Sequence, residues 1–456
     1  MVSNSSRTST AEERLDFRKI LPVFIIIFID LLGLTIIIPL MPLYAASFNA
    51  NAAIIGLLGA TYPAGQFIGA PILGRLSDRF GRKPVLIISQ IGTMLGFLLL
   101  GFAHSLWALF LARAIDGLSG ANISTAQAVI SDSTSERTRT QGLGLIGAAF
   151  GMGFVIGPVI GFLSLAVSNN NFHVPAFVAA GFSLLSIFLT TVLLKETLSP
   201  ERVAHPNTRR EFSLKNFINA VSKPFIGFLL AVMFVQQIVF GGFQQLLSLF
   251  SLNRLGLTAS SISILFVYAG IVIVAIQGYF IGKWSKKLGE SRLIRIGLAA
   301  MAIGMLLIAL TPRQPLPSYD RAAVEQQFSG QRSLPGETPP TGSLQISLPP
   351  DTNKGYFGLI WLMAAIIPMA IGGGVLQPSI NSLLTREAKP SEVGGMLGIS
   401  AALLSGANAF APVIGGAIFQ TIGSSAVFLI GAAVIAITFL VAFIKLRKPI
   451  PFGNTG

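Results

Sequence analysis

The chain has no cysteine, only three histidines and few charged residues for its length of 456 residues. Without cysteine it can form neither a disulfide framework nor a thiolate site for catalysis or metal binding. His104, His173 and His205 stand far apart, and no two of them share a helix face. Because no set of nucleophile, base or metal ligands emerges, we predict no enzyme, no metal site and no cofactor.

Long apolar runs dominate instead. Charged residues make up 11% of the chain, whereas 52% of the residues are hydrophobic and the mean hydropathy is +0.72. A hydrocarbon layer about 30 Å thick takes about 20 helical residues to cross, and no soluble core needs so much apolar surface. Twelve such runs predict an all-α integral membrane protein in a lipid bilayer. The predicted spans are 20–45, 53–73, 84–103, 105–129, 141–167, 173–194, 223–250, 258–281, 292–311, 356–384, 392–419 and 424–445.

The positive charge has a topological pattern. A net charge of +14 would suggest a nucleic-acid partner in a soluble protein, but here the basic residues cluster in alternate loops. With the amino terminus inside, 26 of the 32 Lys and Arg fall on the cytoplasmic side, as the charge rule for multi-pass proteins requires. We therefore predict cytoplasmic termini, a plasma (inner) membrane location and no nucleic-acid partner.

The predicted spans divide the chain into two six-helix bundles, at 20–194 and 223–445. The connector at 195–222 is basic, and its apolar residues recur at helical spacing, which predicts a helix lying in the membrane interface. The segment 311–355 contains eight prolines and little apolar periodicity, so we predict a mobile extracytoplasmic loop. The remaining residues form cytoplasmic tails, at 1–19 and 446–456.

The two halves repeat short motifs. Residues 74–84 (GRLSDRFGRKP), predicted to be a loop between spans two and three, match 282–290 (GKWSKKLGE). The tetrapeptide PVIG at 158–161 also recurs, at 412–415. Two related bundles that face each other create a midplane site reachable from either side in turn, as in many transporters. The repeats therefore favour a transporter with pseudo-symmetric halves.

Three ionisable residues lie inside predicted spans: Asp30, Arg113 and Asp116. A charge in hydrocarbon costs several kcal/mol and persists mainly where it pairs or lines a cavity. Asp30 lies near the membrane midplane, where burial favours its neutral form and a cation such as Arg113 favours the anion. This predicts a proton switch, and the alternative is an acid that only caps Arg113. Arg113 and Asp116 are three residues apart on one face, so they could instead neutralise each other.

Two further sets of residues are candidates for the transport path. Glycines and one proline on the fifth span either pack helices tightly or bend the helix to shape a cavity. Amides and aromatics in the second half, with one amide in the first, either line an uncharged polar cavity or bond helices together. The fifth-span set is Gly147, Gly151, Gly157, Pro158 and Gly161. The cavity set is Gln66, Gln236, Gln237, Phe240, Gln244, Gln377, Asn381 and Asn408.

These motifs resemble the twelve-span drug:proton antiporters of the major facilitator superfamily, which include the tetracycline efflux proteins. The resemblance covers nearly the whole chain. It is carried by residues 74–84, by Asp30 with Gly33 and Pro39 in IDLLGLTIIIPLMPLY, by Arg113 in RAIDGLSGA, and by Gly157, Pro158 and Gly161 in GMGFVIGPVIGF.

The resemblance implies a role for each matching residue. Asp78 would contact the ends of span five or eleven across the interface and hold an outward-open state. Arg113 would approach span one and tune Asp30, and the proton gradient would supply the energy. The resemblance also implies a monomer. The implied conformational latch consists of Gly74, Asp78, Arg79, Gly81 and Arg82.

The sequence also departs from the family. The tetracycline exporters carry an additional acid on the third span, and Gly96 stands at that position here. Spans seven to twelve have no interior acid, which argues against metal-bound tetracycline as the substrate. In the repeated motif Lys286 replaces Asp78, which predicts a latch on one side only.

We therefore predict a secondary active transporter that exports a hydrophobic or amphipathic small molecule in exchange for protons. Sparse buried charge and the fifth-span motif favour this function. The alternative on the same fold is an exporter, facilitator or symporter of a polar metabolite such as a sugar or organic acid. A transporter-like receptor or scaffold would bind a ligand without flux.

Overall fold

Apolar runs with few helix breakers fold as long helices in the computed structural model, which describes residues 17–120, 122–134, 139–198, 222–330, 346–387 and 393–446. Every regular element within these ranges is helical. The first half contains α1 (Phe17–Ile37), α2 (Met41–Ser47), α3 (Ala52–Phe80), α4 (Arg82–Gly101), α5 (Leu106–Ser119), α6 (Asn122–Asp132), α7 (Arg139–Val167) and α8 (His173–Leu193).

The second half follows the same order of long helices. It contains α9 (Pro224–Leu255), α10 (Ala259–Ala275), a π-helical segment (Ile276–Phe280), α11 (Ile281–Leu288), α12 (Glu290–Ala309), α13 (Arg321–Gly330), α14 (Phe357–Glu387), α15 (Val393–Thr421) and α16 (Ser424–Lys445). The π-helical segment joins α10 to α11 without a break.

Eleven helices in the described ranges are long and apolar enough to cross a membrane. The fourth predicted span, 105–129, is made of two shorter helices, because α5 ends at Ser119 and α6 begins at Asn122. The N–H of Gly120 closes α5 by donating to the carbonyl of Asp116. The predicted all-helical membrane fold is confirmed.

The helices of each half pack in the same way. In the first half α4 packs on α8, and α1 packs on α7 and α8; in the second half α12 packs on α14 and α16. The halves meet through two helix pairs, α3 with α15 and α7 with α10.

The motif at 74–84 is helical rather than the loop predicted from its charge. Residues 74–80 form the last two turns of α3, and α4 begins at Arg82. Ser77 Oγ donates to the Gly74 carbonyl, and Asp78 pairs with Arg82 one turn later. These local contacts satisfy polar groups without leaving the helix. Only Gly81 turns the chain, at φ +104°, a conformation that favours glycine.

The bundle has two ends with different features. The basic end contains the α3 to α4 turn at Gly81 and the α11 to α12 turn at Gly289. The loop end contains the described residues 310–330 and 346–356 and the turn between α15 and α16. In the positive-charge prediction the basic end faces the cytoplasm.

The two halves are closed against each other at the loop end. Gln420 Oε1 of α15 accepts a hydrogen bond from the Ala52 N–H at the start of α3, at 3.1 Å. Ser248 Oγ of α9 donates to the Pro39 carbonyl, at 2.8 Å. A Cβ added to Gly56 would overlap the Pro412 carbonyl, so α3 and α15 touch through their backbones.

The described ion pairs at the basic end each join residues of one half. Arg82 pairs with Asp78 at 2.6 Å and with Asp132 at 3.1 Å, all in the first half. Arg386 pairs with Glu290 at 2.7 Å in the second half. The described contacts of the latch therefore hold one half together, rather than bridging to span five or eleven as the resemblance implies. The side chain of Asp78 is 52% exposed.

The external segment 311–355 is more structured than its prolines predict. It contains α13, whose first N–H groups donate to Asp320 Oδ1. The ring of Tyr319 is buried and its hydroxyl donates to the Pro349 carbonyl at 3.0 Å. Anchoring apolar side chains in the core offsets the lack of periodicity. Residues 331–345 of this segment, and the predicted interfacial helix within 199–221, lie outside the described residues.

Candidate functional site: a buried charge cluster beside polar amides

A buried ion pair lies on α5 in the first half. Arg113 Nη1 contacts Asp116 Oδ2 at 2.6 Å, and both side chains are buried. Their spacing of three residues places them on one helix face, where each lowers the cost of burying the other. The interpretation that these two residues pair with each other is confirmed.

Tyr62 of α3 covers this ion pair. The guanidinium carbon of Arg113 lies 4.5 Å from the centroid of the Tyr62 ring, within the range of a cation–π contact. Helix α5 can approach α3 this closely because Gly117 lacks a side chain: a Cβ there would lie 2.5 Å from the Tyr62 carbonyl. We call Arg113, Asp116 and Tyr62 the charge cluster.

Asp30 belongs to the same region of the first half. It lies in the middle of α1 and is partly buried. Tyr62 is close enough to interact electrostatically with Asp116, Arg113 and Asp30. The charge cluster and Asp30 therefore form one electrostatic unit, although the described ion pair of Arg113 is with Asp116. A direct approach of Arg113 to Asp30 remains a prediction.

Gly96 shows why the third span carries no acid here. A Cβ at this position would lie 2.9 Å from the Asp116 Cβ and 3.1 Å from the Ala112 carbonyl oxygen. Helix α4 thus packs directly on α5 where the ion pair lies, and no larger side chain fits without moving the helices. At this level of the bundle the carboxylate is supplied by Asp116.

The glycines of the fifth-span motif pack α7 onto α1. A Cβ on Gly157 would overlap the Thr35 side chain, and one on Gly161 would lie 3.4 Å from the Ile36 carbonyl. Gly151 instead faces Val274 of the second half at 3.5 Å. Pro158 lies inside α7, which continues through it. Gly147 is in the same helix, and its surroundings lie outside the described residues.

The amides separate into two groups. Gln237 Nε2 donates to Asn408 Oδ1 at 2.8 Å and joins α9 to α15. Gln66 Nε2 donates to the Gly120 carbonyl at 3.0 Å and joins α3 to the end of α5. For these residues the interhelical hydrogen bond is confirmed. Gln236 is only 1% exposed, so it is a core residue in this conformation rather than part of an open cavity wall.

The remaining candidates are more accessible. Gln377 is exposed, and Gln244 and Asn381 are partly buried. A polar side chain exposed at membrane depth normally faces a cavity rather than lipid. Phe240 packs edge-on to the backbone at Gly373 of α14. These residues give the second half a wall of neutral polar and aromatic groups.

Arg82 organises the basic end of the first half. Besides its two ion pairs, Arg82 Nη1 donates to Ser77 Oγ at 2.7 Å, and the side chain is almost fully buried. Its backbone N–H and that of Lys83 donate to the Glu196 carboxylate at 2.9 and 3.1 Å. One arginine thus links α3, α4 and α6, while one glutamate ties α4 to the end of α8.

Glu196 has a perturbed acidity. Partial burial raises the pKa of its carboxyl, but four backbone N–H groups that donate to the ionised form outweigh burial, so the pKa is lowered overall. The donors are those of Arg82, Lys83, Thr197 and Leu198. Sequence reasoning missed Glu196 and Asp132. In the sequence, each of these two residues is recognisable only as an acidic residue near a basic segment.

Comparison with known proteins agrees with this architecture. The family model described as Major Facilitator Superfamily matches residues 23–319 and 354–455. The class H tetracycline resistance protein of Pasteurella multocida is 26% identical over 444 residues, which cover 95% of this chain and 98% of that protein. Multidrug resistance protein 2 of Bacillus subtilis (strain 168) is 31% identical over 283 residues, covering 61% of this chain and 69% of that protein.

Solved structures share the fold at lower identity. The human organic anion transporter MFSD10 (TETRAN) superposes with a TM-score of 0.63 at 20% identity, covering 94% of this chain and all of that one. The nucleoside transporter NupG superposes with a TM-score of 0.66 at 15% identity, covering 95% of this chain and all of that one. The chain therefore belongs to the Major Facilitator Superfamily and is a multi-pass membrane transporter with a small-molecule substrate.

Proposed function

We propose that this transporter exports a hydrophobic or amphipathic, drug-like small molecule in exchange for protons. The observation that carries the proposal is the asymmetry of buried charge. The first half holds the charge cluster and Asp30, whereas the second half offers neutral amides and aromatics. In this arrangement the first half carries the proton site, and the second half lines the substrate-binding path. The tetracycline and multidrug resistance proteins among the relatives support drug export.

Proton exchange follows from the competition of two carboxylates for one cation. While Asp116 is ionised, it neutralises Arg113 at 2.6 Å. Protonation of Asp116 would leave a buried guanidinium without that counter-ion, and this favours ionised Asp30. A proton arriving at one acid therefore promotes loss of a proton from the other. Tyr62 keeps Arg113 over its ring during this exchange.

Alternating access couples this exchange to transport. The loop end is closed by Ala52, Gln420 and the backbone crossing at Gly56, and we infer that the transport path opens toward the basic end. We assign the basic end and both termini to the cytoplasmic side of the plasma (inner) membrane. Substrate enters from that side and displaces the proton, and the loaded protein then opens at the loop end. Protonation from outside resets it.

The substrate is a compound with little charge. Among the described residues no cluster of three or more His, Asp or Glu could hold a metal ion. The position of the additional family acid is closed by packing at Gly96. Neutral amides and the Phe240 ring suit a flat apolar body with a few hydrogen-bonding groups.

Transport in reconstituted vesicles tests the proposal. Export of a panel of amphipathic drugs, sugars and organic acids should respond to an imposed pH gradient for at least one amphipathic compound. Asp30→Asn should abolish gradient-driven export while substrate counterflow, which needs no net proton movement, continues. Glu325→Gln, an exposed acid of α13, is the control and should behave as the parent protein. Full gradient-driven export by Asp30→Asn would rule out the proton role.

A second candidate is transport of a polar metabolite on the same fold. The exposed amide of Gln377 favours it, since that group could bond a sugar hydroxyl or an organic acid. Saturable flux of a sugar or organic acid, with no response to the drugs, would favour this function over drug export.

A further inference from the structure

A cavity of about 440 Å³ lies at the loop end, far from the charge cluster. Its walls come from the end of α9, the turn between α15 and α16, and the two described parts of the external segment. Two arginines, Arg254 and Arg313, line it together with the hydroxyls of Ser424 and Ser425. We propose that this cavity binds a soluble oxyanion, with a carboxylate or phosphate group, from the loop-end compartment.

The two arginines bring positive charge to the cavity. No carboxylate among the described residues lies within 4.0 Å of either guanidinium. The two guanidinium groups are close enough to repel each other. An anion between them removes the repulsion and gains two charge-assisted contacts.

Among the described residues, each arginine uses one guanidinium nitrogen in a hydrogen bond. Arg254 Nη2 donates to Ser425 Oγ, and Arg313 Nη2 donates to the Leu348 carbonyl at 2.8 Å. Each guanidinium has five N–H donors, and Arg254 Nε is buried without a hydrogen-bond partner in the described part of the chain. A buried donor left unsatisfied is costly. The planar fork of arginine suits carboxylate and phosphate in particular.

The shape of the cavity depends on whether the loop end is open or closed, because both halves contribute to its wall. Ala52 is its wall from the first half, and Gln420, which accepts the Ala52 N–H, is its wall from the second. The site is therefore complete only while the loop end is closed. An anion bound there stabilises the closed loop end and slows its reopening. This regulation does not depend on which solute is exported.

Thermal unfolding of the purified full chain tests binding. Inorganic phosphate and citrate replace chloride at constant ionic strength, and we expect the Tm to rise by about 2 °C or more. Arg313→Gln should abolish the rise. This side chain is exposed and makes one described hydrogen bond, so the variant should fold. Arg254→Gln should act in the same way.

The matched control is Arg321→Gln, a loop-end arginine outside the cavity that pairs with Glu325. It should keep the full rise. Equal stabilisation of all variants would mean a general salt effect and would overturn the proposal. So would stabilisation by phosphatidylglycerol in lipid discs without any response to phosphate or citrate, because the ligand would then be a lipid headgroup.

A distance measurement tests the link to conformation. The chain has no native cysteine, so spin labels can be placed only at Val167→Cys and Leu310→Cys, two exposed loop-end positions in opposite halves that do not line the cavity. Phosphate should increase the short-distance population, and Arg313→Gln should remove this response. If phosphate raised the Tm without changing the distances, the regulatory part of the proposal would fail.

Discussion

At the scale of single residues, the charge cluster is held by a contact between Arg113 and an aromatic ring. The centroid of the Tyr62 ring lies 4.5 Å from the guanidinium carbon of Arg113. A desolvated cation–π contact contributes about 2 kcal/mol. Tyr62 therefore stabilises the charged form of Arg113 in a place where water cannot.

Substitutions at Tyr62 distinguish the contribution of the aromatic ring from that of the hydroxyl group. Tyr62→Phe should keep the contact and change stability little, whereas Tyr62→Leu should destabilise the protein by about 1–3 kcal/mol and reduce transport. Chemical unfolding and vesicle flux measure the two effects. If Leu and Phe behaved alike, the ring would not be needed to hold Arg113.

The close packing of α4 on α5 at Gly96 predicts that a larger residue at this position destabilises the protein. Gly96→Ala should destabilise the protein by about 1–3 kcal/mol, because the new methyl group would meet Asp116 and Ala112 at about 3 Å. The control is Gly181→Ala in α8, where no atom lies within 4 Å of the added methyl. That change should be neutral or slightly stabilising in thermal unfolding. A neutral Gly96→Ala would mean that α4 and α5 separate easily.

At the scale of elements, short polar contacts join helices that apolar packing alone would leave free to slide. Arg82 joins α3 to α6, Glu196 joins α4 to α8, and the pair of Gln237 and Asn408 joins α9 to α15. The contacts of Arg82 and Glu196 lie at the basic end and involve the motif at 74–84. The charge rule alone would explain this motif only as a topological anchor. The motif is therefore also a structural joint of the first half.

The joint at Glu196 should depend on pH. Because the folded pKa of Glu196 lies below its unfolded value, its stabilisation is complete above about pH 4.3 and is lost as the pH falls through the folded pKa. Glu196→Gln should lower the Tm at neutral pH, and the difference from the parent protein should shrink at acidic pH. Glu325→Gln serves as the exposed control. A difference that does not change with pH would exclude the ionised carboxylate as its cause.

At the scale of the whole molecule, two crossings and one closed end define the conformation. The α3 and α15 crossing at Gly56 and Pro412 is a backbone contact, which only a very small residue permits. Ala52 with Gln420 and Ser248 with Pro39 close the same end. Among the described residues Asp78 pairs with Arg82 of its own half, and its implied contact across the interface stays a prediction.

Gly56→Ala should therefore open the loop end. The added methyl would overlap the Pro412 carbonyl and cost the closed state about 1–3 kcal/mol, or about 5- to 150-fold in population. The distance between spin labels at Val167→Cys and Leu310→Cys should lengthen. Gly406→Ala in α15 has open space around it and should leave the distances unchanged. Unchanged distances in Gly56→Ala would show that the crossing yields to an extra methyl.

Most of the helices and the division into two halves were predictable from the sequence. Apolar length and basic loops predicted the long helices and the two halves, and spacing offered the pair of Arg113 and Asp116 as one of two alternatives. Tyr62 was missed because an aromatic residue in a membrane span resembles any other apolar one. The helical form of 74–80 was missed because charge was taken as a sign of a loop, although i,i+4 pairs stabilise helices as well.

The sequence by itself determined that the chain is an all-helical membrane protein and which helices carry ionisable residues, because these features depend on local composition and hydrocarbon thickness. Only the tertiary structure decided that Tyr62 covers Arg113, that Asp116 faces Gly96 and that Arg254 meets Arg313 in one cavity. Such contacts join residues far apart in the chain. They arise from how the helices cross, which depends on where small residues allow close approach and which end is closed.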